Sequence, residues 1–125
     1  MAKTILVLGA GTGGIITAHE LIKGLPTTER KNVRIVLFEK EEKNVFAPSL
    51  LWLMVGLRKS SQVFQTTNKL AKKNIELVLG TIELVDPKAM TVKVNEKEYK
   101  GDYLVISLGA EQVTEYNLDK SGFDF

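Results

Sequence analysis

The sequence predicts an α/β fold in which a parallel sheet, built on a strand–helix–strand unit, carries an antiparallel meander of three strands. Three observations support this fold class. An apolar run at 4–9 leads directly into a glycine-rich turn and a helix-forming segment, a second apolar run follows at 33–39, and three short strand-like runs lie between residues 80 and 99. Apolar runs without polar alternation suit strands that are buried on both faces of a parallel sheet.

Length and composition are typical of one globular domain. The chain has 125 residues, of which 44% are hydrophobic and 26% are charged, and its formal net charge of +2 gives no support for a nucleic-acid partner. Cysteine is absent from the sequence, which excludes disulfides and zinc–thiolate sites within the chain. The chain enters a strand by residue 4 without a signal-peptide pattern, which predicts a cytoplasmic location.

The predicted elements follow the chain in a regular order. A helix over 15–23 follows the strand at 4–9 and is ended by Gly24 and Pro26, and a polar loop at 27–32 leads to the strand at 33–39. Two strands joined through one helix are expected to lie side by side and parallel. The remaining predicted elements are a short helix over 50–55 capped by Ser49, a helix over 67–73 with Lys69, Lys72 and Lys73 on its solvated face, a strand over 75–79, meander strands over 80–85, 90–94 and 97–99, and a buried strand over 103–109, while the last fifteen residues show no clear element.

A GxGxxG motif formed by Gly9, Gly11 and Gly14 separates the first strand from the first helix. Gly9 allows a sharp turn, Gly11 allows a pyrophosphate to approach the backbone, and Gly14 allows the helix to pack closely on the strand. The motif alone is a weak signal, but its position between strand and helix is the context that a dinucleotide site requires. Thr12 and Gly13 belong to the same predicted phosphate-binding loop, at the positive end of the helix.

An acidic residue, Glu39, ends the second strand 25 residues after Gly14. A carboxylate here can accept hydrogen bonds from ribose hydroxyls and would repel a 2′-phosphate, which favours FAD or NAD over NADP. The alternative is that Glu39 only ends a strand in a charged loop. The single histidine, His19, is interpreted as a surface or boundary residue, and the sequence offers no convincing catalytic residue and no metal site.

Three segments, 7–14, 36–40 and 102–110, together resemble the FAD-binding domain of the two-dinucleotide-binding flavoproteins related to glutathione reductase. The third reads Asp-Tyr-Leu-Val-Ile-Ser-Leu-Gly-Ala and departs from the family pattern at Ser107 and Leu108, where Leu108 offers no hydroxyl. The resemblance implies a Rossmann-like, incomplete FAD-binding domain with FAD as the cofactor. It also implies that Lys40, Ser107 and Gly109 contribute to the cofactor site and that the backbone of Ile82 contacts adenine.

Two further segments, 46–52 and 55–58, resemble sulfide:quinone oxidoreductases and, more loosely, type II NADH dehydrogenases. This resemblance implies that Pro48 and Ser49 lie beside the flavin ring, and that the whole enzyme passes electrons from sulfide through FAD to quinone. It leaves Trp52, Leu53 and Met54 either as core or as a quinone contact. Arg58 is expected to face solvent or to pair with a carboxylate.

The resemblance covers only about the first third of such an enzyme. Residues 1–125 are therefore expected to be the N-terminal part of an FAD-binding domain, inactive alone, with membrane association arising only from a C-terminal portion outside it. In such an enzyme, further strands of the sheet come from the later sequence. Without them, residues 1–125 are expected to have an exposed sheet edge that can pair with another copy. The alternatives are a type II NADH:quinone dehydrogenase and a stand-alone nucleotide-binding module.

Overall fold

The computed structural model describes residues 2–71 and 74–110 of the chain. Nine strands and five α-helices form within these residues. The strands are β1 (Lys3–Leu8), β2 (Val33–Glu39), β3 (Lys43–Val45), β4 (Phe64–Thr66), β5 (Ile75–Leu79), β6 (Ile82–Asp86), β7 (Thr91–Val94), β8 (Lys97–Lys100) and β9 (Tyr103–Ile106). The helices are α1 (Thr12–Gly24), α2 (Thr27–Arg30), α3 (Leu50–Met54), α4 (Ser60–Val63) and α5 (Thr67–Leu70).

The central sheet has four parallel strands in the order β5-β2-β1-β9. Ile5 of β1 is in register with Ile35 of β2 on one side and with Tyr103 of β9 on the other. The predicted strand–helix–strand unit, with its two strands adjacent and parallel, is therefore confirmed. The carboxyl ends of β1, β2 and β9 meet at one edge of the sheet, where ligands of open α/β sheets bind.

Two hydrophobic clusters cover the two faces of this sheet. On one face, Leu8 and Phe38 pack with Val92 from the antiparallel sheet β6-β7-β8, and the rings of Phe38 and Tyr99 meet edge to face at 5.0 Å between centroids. On the other face, Val7 packs with Ala18 of α1. The predicted meander thus forms a separate three-stranded sheet that covers one side of the parallel sheet, while α1 covers the opposite side.

The first helix begins at Thr12, three residues before the predicted start at Ile15. Gly11 has an extended backbone, and its carbonyl accepts the first helical hydrogen bond from the Ile15 N–H at 3.0 Å. Gly13 and Gly14 are therefore helical. Glycine has a low helix propensity, but at Gly14 the close approach of the Gly9 carbonyl oxygen leaves no space for a side chain.

Two other segments differ from the sequence prediction. The polar loop at 27–32 contains the short helix α2, which follows Pro26. The helix predicted over 67–73 spans only Thr67–Leu70, and residues 72–73 lie outside the described residues, as do the last fifteen. Among the helices of the described ranges, none combines the length and the apolar character needed to cross a membrane.

A two-stranded antiparallel ribbon, β3 and β4, was not predicted. It joins Asn44 to Gln65 and brackets a segment that contains a 3-10 turn at Ala47–Ser49 and then α3. Ser49 occupies the predicted N-cap position of this helix, but its side chain makes no capping hydrogen bond. The Ser49 hydroxyl instead accepts a hydrogen bond from Nη1 of Arg58 at 2.7 Å.

Candidate cofactor-binding site

The three motif glycines have different structural reasons for being glycine. Gly9 has a φ of +93°, and a Cβ there would overlap the carbonyl oxygen of Ser107. A Cβ on Gly14 would overlap the carbonyl oxygen of Gly9, so helix and turn can approach only without a side chain. A Cβ on Gly11 would meet no protein atom within 4 Å. The fold therefore requires Gly9 and Gly14, whereas Gly11 faces open space at the start of α1.

Glu39 lies beside the glycine turn. Its Oε2 accepts a hydrogen bond from the Ala10 N–H at 2.7 Å, and its Oε1 accepts bonds from the N–H groups of Lys40 at 2.8 Å and Glu41 at 3.2 Å. These bonds hold the carboxylate at the carboxyl edge of the sheet. Two carboxylate oxygens offer about four acceptor positions, so Glu39 keeps acceptor capacity for a further donor.

A cleft of about 480 Å³ opens between the glycine turn and the start of the meander. Gly80 and Thr81 lie on its far side, and Phe38 and Leu108 also contribute to its wall. Seven of the predicted site residues line this single cleft, and they come from four separate parts of the chain: Gly9, Gly11, Glu39, Lys40, Ile82, Ser107 and Gly109.

Ser107 fastens the end of β9 to the glycine turn. Its Oγ lies 2.9 Å from the carbonyl oxygen of Leu8 and 3.3 Å from that of Gly9, so the hydroxyl donates within the protein. Gly109 follows with a φ of +75°, in the left-handed region that favours glycine. The serine that departs from the family pattern thus has a structural partner at the turn.

Asp102 holds the opposite end of β9 against β1. Its Oδ2 accepts a hydrogen bond from the Thr4 N–H at 2.8 Å, and its Oδ1 lies 3.1 Å from Nζ of Lys3. The Thr4 N–H and then the lysine ammonium lower the pKa of the Asp102 carboxyl, and the same carboxylate raises the pKa of Lys3. Asp102 thereby fixes the register that brings Ser107 to the glycine turn.

Asn44 also holds the glycine turn, although the sequence gives no signal for this role. Its Nδ2 donates a hydrogen bond to the carbonyl oxygen of Ala10 at 2.7 Å. The N–H of Ala10 is bound by Glu39, so side chains from β2 and β3 hold Ala10 through both its N–H and its carbonyl. An asparagine in a charged loop carries no sequence signal for this contact, because the contact depends on the unpredicted pairing of β3 with β4.

A second cleft, of about 360 Å³, lies on the other side of the α1 N-terminus. Thr12 and Ser49, both predicted site residues, contribute to its wall together with Arg58. Ser49 is only 3% exposed. The expectation that Arg58 faces solvent is confirmed, because the residue is exposed, and its described hydrogen-bond partner is the Ser49 hydroxyl rather than a carboxylate. The other residues of the wall are Ile15, Ile16, Asn44, Phe46, Gln62, Val63 and Gln65.

The remaining predicted site residues lie near these clefts but do not form their walls. Gly13 and Gly14 are in the first turn of α1, and Pro48 is exposed in the 3-10 turn before α3. Of the residues left open between core and quinone contact, Trp52 and Met54 are 46% and 72% exposed and Leu53 is half-buried, so the described chain does not bury them as a core.

Comparison with known proteins identifies the family. A family model described as pyridine nucleotide-disulphide oxidoreductase matches residues 3–122. Sulfide-quinone reductase of Aquifex aeolicus is 35% identical over 115 residues, which are 90% of this chain and 26% of that protein. A type II NADH:quinone oxidoreductase of Mycobacterium tuberculosis is 27% identical over 114 residues, which are 86% of this chain and 23% of that protein.

The structural comparison agrees with the sequence matches. The X-ray structure of the sulfide:quinone oxidoreductase from Aquifex aeolicus aligns with a TM-score of 0.78 and 30% identity, covering 96% of this chain and 27% of that one. The chain thus spans about a quarter of the length of these relatives. The resemblance predicted from the glycine turn, the end of β2 and the 102–110 segment is confirmed: the chain belongs to the pyridine nucleotide-disulphide oxidoreductase family.

Proposed function

We propose that this chain is the FAD-binding portion of a flavin-dependent oxidoreductase, and that the complete activity transfers electrons from sulfide through FAD to quinone. The observation that carries the proposal is the position of Glu39, whose carboxylate is hydrogen-bonded to the glycine turn in a cleft lined by seven predicted site residues. The 35% identity to a sulfide-quinone reductase supports sulfide as the donor.

The residues present fit an adenine dinucleotide. Open space at Gly11 accommodates a pyrophosphate, and the N–H groups of 12–14 at the α1 N-terminus provide donors for it. Glu39 has acceptor capacity for a hydrogen bond from a ribose hydroxyl, and Ile82 lines the same cleft, where we place the adenine. FAD supplies the two-electron redox chemistry, while the residues of this chain bind and orient it.

Sulfide as the electron donor and quinone as the electron acceptor are further parts of the proposal. Because the 125 residues include no cysteine, none of them is assigned to sulfur chemistry. The exposed apolar side chains of Leu51, Trp52 and Met54 support contact with an apolar acceptor such as quinone. We also propose a cytoplasmic location with peripheral membrane contact. A second copy of the chain would pair through β9, which lies at the edge of the sheet and where Tyr103 is 57% exposed.

A second candidate function is supported by the 27% identity to a type II NADH:quinone oxidoreductase. The two candidates share the FAD site and differ in the electron donor. Cysteines flanking the flavin in the full reading frame would favour sulfide, whereas a second glycine-rich dinucleotide lobe without them would favour NADH. A nucleotide-binding module without redox activity remains the third alternative, and it predicts adenine-nucleotide binding only.

The glycine turn provides the direct test of nucleotide binding. Gly11→Val should abolish binding of ADP and FAD in isothermal titration calorimetry, because the new side chain occupies the space assigned to the pyrophosphate. Gly24→Val is the matched control, since a Cβ on Gly24 also meets no atom within 4 Å but lies at the other end of α1. Unchanged ADP affinity in Gly11→Val would show that the phosphate assignment is wrong.

A further inference from the structure

The second cleft contains a cation that neither the fold nor the glycine motif explains. Gly56, with a φ of +75°, reverses the chain after α3, and the N–H groups of Leu57 and Arg58 both donate to the carbonyl oxygen of Trp52, at 2.9 and 3.2 Å. The Arg58 side chain then returns to the buried Ser49 hydroxyl. Arg58 is thus fixed both at its backbone and at its guanidinium.

The charge of this cleft comes from Arg58. Among the described residues that line it, the other polar groups are hydroxyls and amides, and the first turn of the adjoining helix α1 contains no acidic residue. A guanidinium has five N–H donors, and the hydrogen bond to Ser49 uses one of them. The remaining donors are available to a ligand that carries acceptor atoms or negative charge.

Consecutive residues at the start of α1 line the two clefts. Gly11 lines the first cleft and the next residue, Thr12, lines the second. In the proposed site the pyrophosphate of the cofactor lies at Gly11, and Glu39 accepts a hydrogen bond from the ribose in the first cleft. The other half of the cofactor then extends toward the second cleft. In FAD that half is the isoalloxazine system, which has carbonyl and ring-nitrogen acceptors and whose electronics respond to nearby charge.

We propose that Arg58, held by Ser49, hydrogen-bonds and positions the isoalloxazine half of FAD. It does not contribute to binding the ADP half. The inference rests on the proposed FAD site and adds to it a positioning residue with a defined charge. A cation at this position also favours the reduced, more negative state of the ring, and it therefore raises the midpoint potential of the bound flavin.

The test compares ADP and FAD affinities in the same chain by isothermal titration calorimetry. The wild type should bind FAD more tightly than ADP. Arg58→Gln should weaken FAD binding by about tenfold, as expected for loss of a charged hydrogen bond, while ADP affinity stays unchanged. Arg58→Lys should recover part of the FAD affinity, because it restores the charge without the planar donor group.

Lys59→Gln is the matched control, because it removes the neighbouring exposed cation, which does not line the cleft. It should leave both affinities unchanged. Ser49→Ala should give a smaller loss of FAD affinity than Arg58→Gln, since it removes the anchor but keeps the charge. In FAD-loaded protein, Arg58→Gln should shift the midpoint potential to a more negative value, a change that a structural role alone would not produce.

Three results would overturn the inference. These are equal losses of ADP and FAD affinity in Arg58→Gln, a wild type that binds FAD no more tightly than ADP, and an unchanged midpoint potential in that variant. If the wild type binds neither ligand, the proposed function fails together with the inference. If the wild type binds ADP and FAD, and Arg58→Gln changes neither affinity, only the inference about Arg58 fails.

Discussion

Alanine substitution of the three motif glycines should separate the glycines that the fold requires from the one that a ligand requires. In Gly14→Ala the new methyl group overlaps the carbonyl oxygen of Gly9 and lies 2.9 Å from Oγ of Ser107, so α1 must move away from the turn. Overpacking of this kind costs about 1–3 kcal/mol of unfolding free energy. Gly9→Ala meets the carbonyl of Ser107 and adds left-handed backbone strain of about 1–2 kcal/mol.

Gly11→Ala has no such cost. Its backbone φ of −70° suits any residue, and its methyl group meets nothing within 4 Å. Loss of chain entropy in the unfolded state stabilises such a variant, whereas alanine is poorer than glycine as a helix N-cap, so the net change should stay within about 1 kcal/mol. Urea denaturation followed by circular dichroism gives the three free energies. A Gly11→Ala variant as destabilised as Gly14→Ala would refute this reasoning.

Two further predictions concern side chains that hold the site in place. The pKa of Asp102 is lowered in the folded protein, so the stability it contributes is present above the ordinary carboxyl pKa and is lost as pH falls below about 4. The difference in unfolding free energy between wild type and Asp102→Asn should therefore shrink from pH 6 to about pH 3, and a constant difference would contradict the assignment. Asn44→Ala, which frees the Ala10 carbonyl, should lower stability by about 1 kcal/mol and weaken ADP binding. Asn68→Ala is its control, because Asn68 is an exposed residue of α5, and equal ADP affinity in the two variants would show that Asn44 does not support the site.

The sequence predicted the parts of the fold that adjacent residues encode. Local signals include the apolar runs at β1 and β2, the glycine turn and Glu39 at the end of β2. Parallel pairing of β1 with β2 is then enough to bring Glu39 beside the glycine turn. The start of α1 was predicted late, because Gly13 and Gly14 were assigned to the turn when they form the first helical turn.

The parts that could not be predicted depend on contacts between distant residues. Strands β3 and β4 have three residues each and pair across about twenty residues, so neither has a hydrophobic period of its own. The bonds from Asn44 to Ala10 and from Arg58 to Ser49 exist only once that ribbon and the turn at Gly56 have formed. Such polar contacts leave no trace in hydrophobic patterning.

The most direct test of the adenine-nucleotide assignment is to map ADP binding by NMR, using backbone amide shifts of the isotope-labelled chain. A larger cleft, of about 720 Å³, is lined by Lys3, Gly24 and Tyr103 and lies away from the glycine turn, so the two sites are distinguishable. We predict that ADP shifts the amides of 11–14, Lys40 and Ile82 and leaves those of the larger cleft unchanged. Shifts confined to the larger cleft, with none at the glycine turn, would contradict the account.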